Sequence, residues 1–414
     1  MYLKVSGMIK SLIITGLIFV SSMVCCAKIF QGSITYNSYR GLVMAGYQGW
    51  HNAEGDGANR GWHHYEKNGV FKPGFTNNDL WPDVSEYEKT YPTAYKFDDG
   101  STAYLYSAYD SSTVATHFRW MKEADLDGVF MQRFISEIRN PSGLNHFNKV
   151  LSSAMAAANY HGRAICIMYD LSGMAKGEEN ILLSDIQQLA QEYSLFKHVD
   201  NPSYLYHNGR PLVAVWGVGF NDHRQYGLAE AEKIVAELKR LGFSVLLGVP
   251  TNWRKMELDT EKSPDFHDLI RKCDVVMPWF VGRYDEESFP KFHSLIKKDM
   301  AWAKKNHVDY APLCYPGFSW HNMHYPRTDT FYVNRNKGSF FKKQLDFNIH
   351  QGAKMLYIAM FDEIDEGTAI YKIARKVPKS VPGSEFVPLE DGLPSDFYLK
   401  MAGDAAKKLK AKEK

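Results

Sequence analysis

Eight short runs of apolar, β-branched and aromatic residues recur along this chain. They are LVMAGYQGW (42–50), GVFMQRF (128–134), AICIMYD (164–170), PLVAVWGV (211–218), SVLLGVP (244–250), DVVMPWF (274–280), YAPLCYP (310–316) and KMLYIAMFDE (354–363). The runs are short and apolar throughout instead of alternating, which is the pattern of strands buried on both faces. Between them lie segments with helical periodicity, among them STVATHFRWMKEADL, HFNKVLSSAMAAANYH, LAEAEKIVAELKRLG and FHSLIKKDMAWAKKNH. Such alternation predicts a parallel sheet covered by helices. Eight units predict a single α/β domain, a (β/α)8 TIM barrel with long βα loops. An open doubly wound sheet is the competing arrangement, but no glycine-rich phosphate fingerprint follows the first strand.

The surplus length sits in segments that follow strands. Residues 51–110 are the longest, and others follow the fifth, seventh and eighth runs. In a barrel these loops open onto the C-terminal face, where active sites of this fold are built. Aromatic and polar residues collect at the same strand ends: Tyr47, Trp50 and His51 after the first, Asn252 and Trp253 after the fifth, Trp279 at the sixth, Trp320 and His321 after the seventh. Rings that stack on sugars, with polar groups that read hydroxyls, would use this inventory. Large rings plugging the barrel mouth are the alternative for any one of them.

Charge concentrates at one place. FDEIDEGTAI, at the end of the eighth run, puts Asp362, Glu363, Asp365 and Glu366 into five positions. Like charges this close raise one another's pKa unless a partner or a chemical task compensates. On a helical turn Glu363 and Glu366 would have Cβ atoms about 5–6 Å apart. That is compatible with the carboxyl spacing of about 5–5.5 Å in retaining glycosidases. A helix N-terminus decorated with acids is the competing reading. No D-x-D-x-D-G loop supports a calcium site.

Composition changes the picture mainly at the N-terminus. Lys4 and Lys10 precede the apolar SLIITGLIFVSSMV and then CCAK, the layout of a secretory signal with cleavage after Ala27. Residues 28–414 are then the barrel domain, and the protein is expected to be secreted or periplasmic. An acylated start at Cys25 or Cys26 is the alternative. No other segment approaches the length of a membrane span. Without residues 1–27 the chain carries 47 basic and 47 acidic side chains, which gives no reason to expect nucleic acid as a partner. Cys166, Cys273 and Cys314 remain, each in an apolar run, and an odd number is no disulfide framework.

The segment YIAMFDEIDEGTAI resembles the NEWHEGT region of glycoside hydrolase family 99, the endo-α-mannosidases and endo-α-mannanases, which are related to the family 71 α-1,3-glucanases. It retains E-x-x-E-G-T as Glu363, Ile364, Asp365, Glu366, Gly367 and Thr368, while Asp362, Ile364 and Asp365 replace the family's Asn, Trp and His. The resemblance implies a retaining hydrolase of α-linked oligo- or polysaccharides, with no metal and no organic cofactor. It implies that Glu363 acts as base on the sugar 2-hydroxyl and Glu366 as general acid and then base. An α-1,3-glucanase-like activity and a non-catalytic carbohydrate-binding barrel are the alternatives.

Overall fold

The computed structural model describes residues 35–327 and 330–413, so the expected leader lies outside the described residues. Every one of the eight predicted runs contains a strand: β1 (Val43–Tyr47), β2 (Gly128–Phe134), β3 (Ala164–Asp170), β4 (Arg210–Trp216), β5 (Ser244–Val249), β6 (Val275–Pro278), β7 in two pieces (Asp309–Tyr310 and Leu313–Cys314) and β8 (Leu356–Ile358). Each pairs in parallel with the next, and β8 pairs with β1, so the ring closes. A helix follows each strand: α1 (Ser111–Glu123), α2 (Pro141–His161), α3 (Glu179–Glu192), α4 (Leu228–Leu241), α5 (Asp265–Lys272), α6 (Phe289–Lys305), α7 (Ser339–His350) and α8 (Phe397–Glu413). The fold is a (β/α)8 barrel.

Two departures from the regular pattern have local causes. Strand β7 is split at Pro312, which has no N–H to give the ladder. Its first piece pairs with β6 and its second with β8; the Pro312 carbonyl still accepts from Tyr357 N–H at 3.0 Å. Strand β8 stops at Ile358, five residues short of the predicted end. The chain beyond it stays tied to its neighbours: Ala359 N–H donates to Cys314 O at 3.0 Å and Phe361 N–H to Gly46 O at 2.7 Å. The acids therefore begin on irregular backbone that the barrel wall still holds.

The strands are buried almost end to end, as their continuous apolar runs require. Strands β2 and β3 approach closely at Gly128, where an added Cβ would press into the backbone of Ala164. Backbone cannot swing aside as a side chain can. Gly128→Ala is expected to destabilise the fold by about 1–3 kcal/mol through overpacking, read as a lower denaturant midpoint at unchanged slope.

The long segment after β1 is not structureless. It contains an antiparallel hairpin, Tyr91–Lys96 with Thr102–Leu105, and a second hairpin, Phe318–Ser319 with Tyr332–Val333, follows β7. Both belong to loops that leave the C-terminal ends of strands.

Candidate active site

The four clustered carboxyls lie on irregular backbone that runs into a tight turn, not on a helix. Residues 364–367 form the turn, and among the described residues the next helix is α8. A decorated helix start is thereby removed as an explanation for the acids. Gly367 takes φ +63°, a left-handed value that a Cβ would disfavour, and so lets the chain reverse directly after Glu366.

The turn is pinned from several sides. Ser319 N–H donates to Glu366 O at 2.9 Å, and Arg335 Nη2 donates to Gly367 O and Ala369 O at 2.8 and 2.7 Å. Asp79 N–H and Leu80 N–H donate to Ile364 O at 2.9 and 3.2 Å, while Ala369 N–H closes back onto Glu363 O at 2.8 Å. Loops after β1, β7 and β8 thus hold one backbone segment in place, which fixes the side chains that project from it.

Each acid has its own surroundings. Asp362 accepts from the backbone N–H groups of Gln48 and Gly49 at 2.7 and 2.9 Å, which locks the end of β1 to the end of β8. Burial nevertheless pushes its carboxyl up to about 7. Glu363 accepts a close hydrogen bond from the Gln48 side-chain amide. Burial first, and then the neighbouring Asp365 and Glu366, push Glu363 well above the usual carboxylate range. Burial also raises Asp365, whose carboxyl lies against that of Glu363. Glu366 accepts from Trp320 Nε1 at 3.3 Å, and burial together with Asp365 lifts it to about 7.

A raised carboxyl weakens the fold as it ionises. Glu366 holds its proton in the folded state up to about 7, whereas an unfolded glutamate releases it near 4.3. Its contribution is fully present below the unfolded value and is lost as pH rises through the folded one. Glu366→Gln, a neutral isostere, is therefore expected to melt close to wild type at pH 4.5 and above it at pH 7.5. Buried neutral histidines act in the opposite sense over part of this window, and taking the difference between variant and wild type cancels them.

The other sequence-predicted residues separate into groups. Trp320 meets Glu366 directly, and its exposed ring lies beside Phe318, with exposed Phe331 and Tyr332 on the same hairpin. Trp50 stacks on His64 at 3.8 Å and on Phe134 at 5.0 Å, so it offers an edge and its buried Nε1. His51 is fully buried against Tyr65 and Tyr106, and burial keeps it neutral. Trp279 meets Trp216 edge-on at 5.1 Å, and Tyr357 at 6.5 Å.

Four residues are placed elsewhere or serve otherwise. Tyr47 packs in the helix layer, its hydroxyl on His117 Nδ1 at 2.8 Å and its ring on Phe361. Side chains alternate along a strand, and neighbouring Gly46 faces Tyr357 and Met360 in the barrel interior, so Tyr47 must face the helices. Trp253 is fully buried, edge-on to Trp302 of α6 at 4.9 Å. Asn252 binds Asp259 within its own loop at 3.0 Å. His321 enters through its backbone N–H, which donates to Asp79 at 3.0 Å.

Gln48, Gln132 and Trp216 belong to the same inventory of strand-end residues. Their importance shows in an unusual set of buried polar atoms. Gln48 Oε1, Trp50 Nε1, His51 Nε2, Gln132 Oε1, Trp216 Nε1 and Asp365 Oδ1 have no hydrogen-bond partner among the described residues. Such atoms are costly unless something else satisfies them. All belong to strand ends or to the loops that begin there, on the face where this fold builds its sites.

The chain is thus a closed (β/α)8 barrel with raised carboxyls at its C-terminal mouth. In structure the chain is similar to two structures of the GH99 endo-α-mannosidase from Bacteroides thetaiotaomicron. They share 16% and 15% sequence identity with it, cover 90% of this chain and 98% and 99% of theirs, and have a TM-score of 0.64. A glycoside hydrolase-like protein is similar at 13% identity, 79% and 92% coverage and a TM-score of 0.50. At such identities the likeness establishes the shared fold, a (β/α)8 barrel. No family model and no curated protein matches the chain.

Proposed function

We propose that this protein is a retaining hydrolase of α-linked glycans, with Glu363 and Glu366 as its catalytic pair. The observation that carries this reading is the pinned E-x-x-E-G-T turn: two glutamates driven toward protonation, set among unpartnered polar atoms at the barrel mouth. The names of the structural neighbours support the same class of substrate. Perturbed carboxyls in a barrel mouth are where acid–base chemistry is expected.

In the first step Glu363 takes the proton of the sugar 2-hydroxyl, whose oxygen attacks the anomeric carbon. The glycosidic bond breaks, and its oxygen leaves with the proton of Glu366. The product is a 1,2-anhydro sugar. In the second step Glu366 takes a proton from water, which opens the three-membered ring at the anomeric carbon, and the 2-oxygen recovers its proton from Glu363. A carboxyl titrating near 7 suits the donor and acceptor role of Glu366. For Glu363 to accept a proton it must enter the step ionised, with Asp365 protonated beside it. Asp365 then donates to Glu363 and positions it, taking the place of the histidine in the family motif.

Export to the periplasm or the medium follows from the apolar leader, with a lipid anchor at Cys25 or Cys26 as the alternative start. The activity is tested by product analysis on a panel of α-mannans and α-1,3-glucans. Release of oligosaccharides with retained anomeric configuration is the expected result. Saturable glycan binding with no product from any member would make the protein a binding barrel.

A further inference from the structure

The loop after β1 and the short helix after β2 bring together a second group of side chains, separate from the four acids. His63 and His64 come from the loop, and Glu137 from the helix Ile135–Ile138. One donor atom from each lies within 4.8 Å of the others. His63 Nε2 and Glu137 Oε1 are 3.2 Å apart. The ring of His64 is held flat against Trp50, and its Nε2 is buried with no partner among the described residues.

We propose that His63, His64 and Glu137 form a binding site for a divalent transition-metal ion, with zinc the best match. Two imidazoles and one carboxylate are a donor set for such an ion, whereas calcium and magnesium take oxygen ligands. Zinc–ligand bonds of about 2.0–2.1 Å place tetrahedral donors about 3.4 Å apart. The His63–Glu137 pair already has this spacing, and a His64 donor atom lies within 4.8 Å of both. Arg60 forms a close ion pair with the other carboxylate oxygen, Oε2. It thereby turns Oε1 toward His63, as outer partners of metal ligands commonly do. The side chains of His63 and Glu137 are 29% and 21% exposed, which leaves an ion a way in.

Three protein ligands leave one position of a tetrahedral ion open. The location gives the site a structural task whatever fills that position. It would clamp the longest loop of the barrel to the end of β2 directly behind Trp50, and would steady one wall of the mouth. The inference stands on these donors alone and is independent of the glycosidase reading.

The experiment uses the mature chain without a histidine tag, stripped with a chelator. Zinc is titrated by calorimetry, and cobalt is used as a visible-absorption probe of coordination. One equivalent of zinc should bind and raise the melting temperature; cobalt loaded into the stripped protein should show the bands of a tetrahedral site, and added zinc should abolish them. Magnesium and calcium should do neither. His63→Gln should weaken binding at least tenfold while the metal-free melting temperature stays near that of wild type. His64→Ala should weaken it as much, from a lower metal-free melting temperature because the ring stacked on Trp50 is lost. Glu137→Gln, which keeps the shape and the contact with Arg60, serves as the third variant should one of these fail to fold. Absence of saturable binding in the wild type would overturn the proposal. So would binding that all three variants retain, since the ion would then sit elsewhere.

Discussion

Glu363→Gln is expected to abolish turnover of natural α-glycans and of activated aryl α-glycosides alike. The glutamine keeps a carbonyl oxygen for the Gln48 amide, so the tie between the ends of β1 and β8 survives. What it cannot do is take the proton of the 2-hydroxyl, and no improvement of the leaving group replaces that step. A positioned base typically contributes about 10²–10⁴-fold, and the loss should be of at least that size on both substrate types. Glycan binding, measured by calorimetry, should persist because Trp320 and the hairpin aromatics are untouched. Wild-type enzyme should likewise fail on a 2-deoxy or 2-fluoro substrate, which lacks the internal nucleophile. Capture of a covalent glycosyl-enzyme from such a substrate would show that a protein side chain attacks the anomeric carbon, and the role given to Glu363 would fall.

Asp365 refines this expectation. Asp365→Asn keeps a donor for Glu363 but removes the carboxylate whose negative charge raises it. Glu363 should then ionise more easily. The acidic limb of the kcat/KM profile is expected to move to lower pH by about one unit or more. An unchanged acidic limb would show that Asp365 does not set the state of Glu363.

Much of the barrel is legible in the sequence because a strand buried on both faces must be apolar along its length. That constraint is strong enough to mark all eight strands, including β7, whose break at Pro312 follows from a missing N–H. The site is legible in part. Four carboxyls in five positions mark a cluster that needs compensation, and the strand preceding them gives its location. The aromatic rim is harder to read. Along a strand one residue separates the barrel interior from the helix layer, which is why Tyr47 and Gly46 face opposite ways. Nothing in the residue itself tells Trp253, packed on Trp302, from Trp320, which reaches Glu366. The hydrogen bond from Gln48 to Glu363 joins positions 315 residues apart in the chain. Only ring closure, with β8 pairing to β1, makes these two neighbours.

Glu366→Gln is expected to separate substrates by their leaving groups. The variant keeps the shape of the side chain and an oxygen for Trp320 Nε1 but has no proton to give. Natural glycans leave as poorly stabilised alkoxides unless protonated, so their turnover should fall by about 10²–10⁴-fold. An aryl α-glycoside with an acidic phenol needs little protonation, and its first step should be nearly preserved. Water attack on the 1,2-anhydro intermediate still lacks its base, so that intermediate should accumulate and limit the steady-state rate. A burst of phenol followed by slow turnover is the expected trace, and an added small anion such as azide should relieve the slow phase by opening the anhydro ring. The pH profile gives an independent reading. In wild type the basic limb on natural glycans should lie near pH 7, where burial places the Glu366 carboxyl. For the aryl substrate with the variant this limb should disappear, since no proton donor remains to be lost. Equal losses on both substrates, with the limb intact, would move the general acid to another residue.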